Sequence, residues 1–258
     1  MSFKTVDFSK FSSIKIGPKT ELYIIEDENY PQNHTLIGLA NNLLISDNPP
    51  PLMILSKKYD FLHVRDEKLH IGAATPGGKI VSFCKKNDIA GFEFISKLPG
   101  TLGGMIKMNA GLKEWEIFNT LIAVKTKYGW INKEDIDYAY RYCGIDDVIF
   151  EASFTCKRGF SLERLDFFKQ MRSNQPHSPS AGSCFKNPPG DYAGRLIQEV
   201  GLKGRRIGDM AFSDIHANFL INLGDGTFDD AIKLIELAQK EVKEKFGISL
   251  EREIIIIS

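Results

Sequence analysis

TFDDAIKLIELAQKEVKEKFGISLEREIIII, residues 227–257, is the stretch that decides the architecture. Thr227 followed three residues on by Asp230 resembles a capping box, with aspartate in place of the usual glutamate or glutamine. Ala231, Leu234, Ile235, Ala238 and Val242 then keep to one helical stripe, and Gly247 offers the left-handed stop. Glu253 leads four isoleucines at 254–257, a short strand expected to be buried on both faces. A long amphipathic helix is thus followed directly by a terminal strand. Upstream, strands and helices mix without strict alternation, which favours an α+β fold over a doubly wound parallel one.

The N-terminal part reads as short strands: residues 21–27 (ELYIIED), 52–56 (LMILS), 61–65 (FLHVR) and 69–74 (LHIGAA) are apolar or alternating and bounded by turn formers. A helix is expected after Pro76-Gly77-Gly78 with Ile80, Val81 and Cys84 on one face. Residues 121–133 read as a hairpin and 148–157 as a strand. Leu162, Leu165, Phe168 and Met171 repeat at helical spacing, and Pro176, Pro179, Ser180 and Gly182 are expected in a loop. Leu196, Ile197 and Val200 mark a short helix that Gly201 can end in a left-handed conformation.

Lysine plus arginine (33) balance aspartate plus glutamate (33), so the formal charge is zero. That argues against a nucleic acid or an anionic membrane surface as partner, although a small anion needs only a few local cations. There is no apolar run of membrane-spanning length and no signal-peptide core, so a cytoplasmic protein is expected. The four cysteines are scattered, without zinc spacing to the five histidines, and no metal is expected.

Three segments are unusual for scaffolding. Pro99-Gly100-Thr101-Leu102-Gly103-Gly104, followed by Asn109-Ala110-Gly111, holds its backbone in shapes that side chains forbid. It is either a tight structural turn or a cradle for a phosphate or the polar edge of a flat ring. In Gly182-Ser183-Cys184-Phe185-Lys186-Asn187-Pro188, Ser183 lacks the context of a hydrolase nucleophile. It is either a turn residue or a proton donor, and Cys184 is either a redox thiol or a packing residue. Glu253 is either an edge charge or a carboxylate aimed into a cleft. Arg141, set among Tyr138, Tyr140 and Tyr142, either binds a carboxylate or lies over a tyrosine face.

Taken together, LPGTLGGMIKMNAG at 98–111, the Tyr140-Arg141 pair, SAGSCFKNPPGDYAGRLIQEVGLKGRRIG from Ser180, SDIHANFLIN at 213–222 and FGISLERE ending at Glu253 resemble the UDP-N-acetylenolpyruvoylglucosamine reductase (MurB) family, in its shorter subgroup lacking the substrate-closing loop. The resemblance implies a flavoprotein fold of the PCMH type. Residues 1–172 would bind FAD as two subdomains of about 1–55 and 56–172, with strand 254–258 returning to the first. Residues 177–253 would form an α+β substrate domain.

Non-covalent FAD would lie against Gly38, Asn41, Asn42, Leu43, Pro99, Gly100, Thr101, Gly103, Gly104, Asn109, Ala110 and Gly111. NADPH would be the hydride donor and the enolpyruvyl nucleotide sugar, UDP-N-acetylenolpyruvoylglucosamine, the substrate of this peptidoglycan step. Arg141, Ser183 and Glu253 would be catalytic, with Arg141, Lys186, Asn187 and His216 touching substrate. A monomer is expected. Leu39 and Ala40 depart from the family's glycine-rich segment, and Cys143 stands where a serine is usual. The rivals are a flavin oxidase of related fold, disfavoured in its covalent form because residues 37–44 hold no histidine or cysteine, and a catalytically silent binding protein.

Overall fold

A computed structural model describes residues 2–258 and divides the chain into two compact units. One gathers Leu22–Gly38 and Leu52–Ser173; the other gathers Thr5–Glu21, Leu39–Pro51 and Asn174–Ser258. The expected first subdomain, 1–55, is therefore not one compact piece. Its 5–21 and 39–51 stretches cluster with the C-terminal part, because Leu43–Ile45 pairs in parallel with Ile255–Ile257 and the Ser13 backbone binds those of Ala40 and Ser180. Among the described residues there are six α-helices: α1 (Phe8–Phe11), α2 (Gly77–Lys86), α3 (Leu102–Lys107), α4 (Leu162–Met171), α5 (Ala193–Glu199) and α6 (Phe228–Phe246). None is long and apolar enough to cross a membrane.

The first unit is built on a five-stranded antiparallel sheet in the order Gly129–Asn132, Leu121–Thr126, Glu151–Thr155, Lys68–Gly72, Leu62–Arg65. Period-two alternation sends Leu69, Ile71, Val124, Ala152 and Phe154 to a buried face, where they pack with Ile80, Val81 and Cys84 of α2 and Leu165 and Phe168 of α4. Leu162 stays 56% exposed at the start of α4, so the expected stripe is buried in its middle only.

In the second unit a four-stranded antiparallel sheet runs Ser180–Ser183, Phe219–Asn222, Met210–Phe212, Arg206–Ile207. The expected loop at 176–182 thus ends in a strand, recruited by tertiary pairing of Ser180 with Ile221 and Ser183 with Phe219. Helix α6 buries Ala231, Leu234, Ile235, Ala238 and Val242 in the same core as Met210, Phe212 and Leu220. Gly247 closes it at φ 71°, a conformation that costs glycine little.

Its start is fixed by Thr227, whose hydroxyl accepts the Asp230 N–H at 3.1 Å. Thr227→Ala should cost about 1 kcal/mol, typical of a lost cap. A urea titration should show the midpoint falling with an unchanged slope; an unmoved midpoint would mean the first turn is held elsewhere. The terminal isoleucine strand differs from expectation. Ile254 and Ile257 are buried, but Ile255 is 42% exposed. Among the described residues the strand pairs with one neighbour, Leu43–Ile45, and Ile255 lies on the side away from the core.

Candidate functional site

In the second unit, three segments far apart in sequence are laced together around Ser183 and Glu253. The Cys184 carbonyl accepts N–H groups from Glu253 (2.9 Å) and Ile254 (3.2 Å), Phe185 bridges Arg252, and the Lys186 N–H reaches the Glu251 carbonyl at 2.9 Å. From the other direction, Asn42 donates its amide to the Glu253 carbonyl at 2.9 Å and accepts the Ile255 N–H on its own carbonyl. Ser183 and Glu253 are both half-buried on this framework. Leu43 pairs with Ile255, and the Asn41 carbonyl accepts the Ser13 hydroxyl. Ala40 sits at φ 50°, in the left-handed region that favours glycine. The departure from the glycine-rich pattern therefore leaves a glycine-like backbone shape in place.

Asn218 holds the Ser183 segment from below. Its side chain accepts the Phe185 N–H at 3.0 Å and donates to the Phe185 carbonyl at 2.8 Å, while its carbonyl takes the Cys184 N–H at 2.7 Å. It extends the ladder past the end of the strand as a neighbouring backbone would. Asn218 lies inside the 213–222 motif, yet the motif does not mark it out; a buried asparagine in an apolar run is the only signal the sequence offers. Cys184 is buried, and burial, with the Glu253 carboxylate adding to it, pushes its thiol far above the ordinary range. It is a neutral packing residue at physiological pH.

Of the expected substrate contacts, Lys186 is paired with Glu251 at 2.6 Å, and Asn187 accepts the Ala193 N–H at the start of α5. His216 takes the Asn218 N–H on Nδ1 and packs edge-on against Phe219 at 5.0 Å. Burial lowers its pKa, which favours a neutral ring.

The first unit carries the glycine loop and Arg141. Gly100 turns the chain at φ 122° into α3. Two first-turn N–H groups, those of Leu102 and Gly103, are used inside the protein, on the Thr75 and Ala73 carbonyls. The Thr101 side chain, at the N-cap position, makes no capping hydrogen bond. A Cβ on Gly38 would stand 3.1 Å from the Thr101 hydroxyl, and one on Gly104 would meet nothing nearer than that same oxygen at 3.9 Å. Gly38 is thus pressed against Thr101, whereas beside Gly104 there is room that a side chain would fill.

Asn109 is fully buried; its amide nitrogen donates to Glu116 and to the Ala139 carbonyl, while its Oδ1 has no hydrogen-bond partner among the described residues. Arg141 sits at φ 57° in the hairpin between Tyr138–Ala139 and Tyr142–Cys143. Its guanidinium lies 4.9 Å from the Tyr140 ring and donates to the Asn109 and Gly111 carbonyls at 3.4 and 3.2 Å. Both sequence readings of Arg141 involve a fixed guanidinium, and these contacts fix it. Cys143 is buried in the main core of this unit, and its thiol is pushed up by burial. Thus the expected cofactor set divides: Gly38 and residues 99–111 lie in the first unit, Asn41, Asn42 and Leu43 in the second.

Comparison with known proteins identifies the family and the fold. The family model described as UDP-N-acetylenolpyruvoylglucosamine reductase, C-terminal domain, matches residues 174–257. The solved structure of UDP-N-acetylenolpyruvylglucosamine reductase (MurB) from Thermus caldophilus superposes with a TM-score of 0.88 at 28% identity, covering 100% of both chains. Such a full-length likeness defines an oxidoreductase of α+β build with a distinct C-terminal domain. Among curated relatives, the UDP-N-acetylenolpyruvoylglucosamine reductase of Campylobacter jejuni (strain RM1221) is 48% identical over 98% of this chain and 99% of its own. That of Helicobacter pylori (strain J99) is 44% identical over 98% of each. The chain belongs to the UDP-N-acetylenolpyruvoylglucosamine reductase family.

Proposed function

We propose that the chain reduces the enolpyruvyl ether of UDP-N-acetylenolpyruvoylglucosamine to the corresponding lactyl ether, UDP-N-acetylmuramate, at the expense of NADPH, as a cytoplasmic, monomeric enzyme of peptidoglycan precursor synthesis. The observation that carries this reading is the pairing of the Ser183–Lys186 segment with 251–254, which brings a hydroxyl and a carboxylate seventy residues apart onto one framework. Non-covalent FAD supplies a hydride acceptor and donor when bound. The first unit supports its binding through the room beside Gly104, the close backbone approach at Gly38 and the unpartnered Asn109 oxygen, which suit a flat polar ligand edge. Asn41, Asn42 and Leu43 would contribute from their own unit.

In the net reaction the carbon–carbon π bond of the enol ether breaks and two C–H bonds form: a hydride is added at the methylene carbon and a proton at the α-carbon. Negative charge develops over the α-carbon and its carboxylate in between. Arg141 would hold the carboxylate with a guanidinium already fixed in place, and such preorganised charge is often a large catalytic contribution. Ser183 would deliver the proton to the α-carbon. Glu253 would stabilise the enol form. His216, being neutral, would serve as a hydrogen-bonding partner of substrate, and Lys186 would have to share its charge with Glu251.

Stopped-flow absorbance tests the reading. Mixing the flavin-loaded protein with NADPH should bleach the flavin, and anaerobic addition of the enolpyruvyl nucleotide sugar should restore its colour. Bleaching without recovery would remove the substrate assignment, and a protein that neither retains nor binds FAD would be the silent binding protein.

A further inference from the structure

The sheet of the first unit carries a second group of chemically capable side chains on the face opposite its core. His63, His70 and Glu151 come from three adjacent strands, and one ligand atom of each lies within 4.8 Å of the others. Their grouping follows from the hairpin between Leu62–Arg65 and Lys68–Gly72. Asp66 (φ 49°) and Glu67 (φ 58°) are both left-handed, as a two-residue primed turn requires. That turn sets Arg65 opposite Lys68 and hence His63 opposite His70. The two imidazoles stack with their planes 2° apart and centroids 5.2 Å apart. On the other side, His70 pairs with Ser153, which places Glu151 two residues along on the same face. Glu151 turns to His70, at 2.8 Å from Nδ1, and not to Lys125, which stands opposite it on the next strand.

We propose that His63, His70 and Glu151 form a binding site for a divalent transition-metal ion of the zinc or copper class. Two imidazoles and a carboxylate are donors that such ions prefer. In a tetrahedral zinc site, bonds of about 2.0–2.1 Å put neighbouring donors about 3.4 Å apart. The present spread closes to that by rotation of His63, which is exposed, while the backbone register stays as it is. An ion would take the place of the proton that His70 Nδ1 and the Glu151 carboxylate share, so that Nδ1 and the carboxylate oxygen, now 2.8 Å apart, open slightly and become its ligands. Three protein ligands leave a position for water or an external ligand. An ion held here ties the outer strand Leu62–Arg65 to Glu151–Thr155 near the middle of the sheet. The site stands whether or not the chain carries out the proposed reductase chemistry.

The sequence spacing hides the group, because the histidines stand opposite each other only through the hairpin register and the carboxylate is eighty-one residues from His70. The test uses the full-length, tag-free protein. Calorimetric titration with zinc ion alone should give one site per chain, weakened at least about tenfold in His63→Gln and in His70→Gln. One lost coordinating group is worth that much or more. Trp130, whose ring meets His70 edge-on at 5.9 Å, gives an independent readout: copper(II) ion should quench its emission in a Trp115→Phe background, and His63→Gln should abolish the quenching. His63 is exposed, so that variant folds. Absence of zinc binding at millimolar ion, or binding and quenching unchanged in His63→Gln, overturns the site.

Discussion

Ser183→Ala is expected to slow reoxidation of the reduced flavin by the enolpyruvyl substrate by about 10²–10⁴-fold, the usual contribution of a positioned proton donor. Reduction of the flavin by NADPH should keep its rate. The two half-reactions separate because NADPH oxidation needs no proton at the substrate α-carbon. The bonds that hold this segment use the backbone of Cys184, Phe185 and Lys186 together with Asn218, so removing one hydroxyl leaves them intact. An unchanged melting temperature checks that. A variant that turns over substrate normally would remove Ser183 from the proton-donor role, and one impaired in both half-reactions would place the serine in flavin binding instead.

Asn218→Leu is expected to cost far more stability than the lost helix cap of Thr227→Ala. Leucine matches the asparagine in shape but takes away both partners of Phe185, whose N–H and carbonyl are then buried without hydrogen bonds. Each such group costs about 1–3 kcal/mol, so the variant should lose roughly 2–6 kcal/mol. For a chain of this size that is a fall in melting temperature on the order of 5–20 °C. Because Phe185 lies two residues from Ser183, proton delivery should fall as well, in protein that remains folded at low temperature. A loss below about 1 kcal/mol would mean that Phe185 finds other partners, water included.

Much of the second unit's framework is visible in the order of residues. Thr227, the Ala231 to Val242 stripe and Gly247 each do what local chemistry predicts, because a helix of this length is governed by its own periodicity and ends. The same holds for Ile80, Val81 and Cys84 in α2 and for Gly201, which takes a left-handed conformation. Features set by pairing between distant segments are not legible in this way. The strand Ser180–Ser183 exists because Phe219–Asn222 lies beside it, and a segment holding proline, serine and glycine gives no local sign of that. Ile255 is exposed in a strand that, among the described residues, pairs with one neighbour, a fact of topology that a run of isoleucines does not carry. Ser183, Glu253 and Arg141 stand out through the family's motifs; their individual chemistry leaves two readings open for each. The lacing of Asn42, Cys184 and Glu253 and the bracing by Asn218 need the fold.

The parallel pairing of Ile255–Ile257 with Leu43–Ile45 bears on how the molecule is made. During synthesis, most of the first unit, Leu52–Ser173, emerges as one continuous stretch and can condense while the ribosome is still working. The second unit has no such option. Its early stretches, 5–21 and 39–51, must wait for the 255–257 strand, which is translated long after them. Contacts of such long sequence separation form slowly. In the interval Leu43–Ile45 is an unsatisfied, apolar strand edge, the kind of surface that invites wrong pairing. A nascent chain halted before residue 254 should therefore be protease-resistant through 52–173 and remain cleavable at 39–51, until residues 254–257 emerge and close the edge.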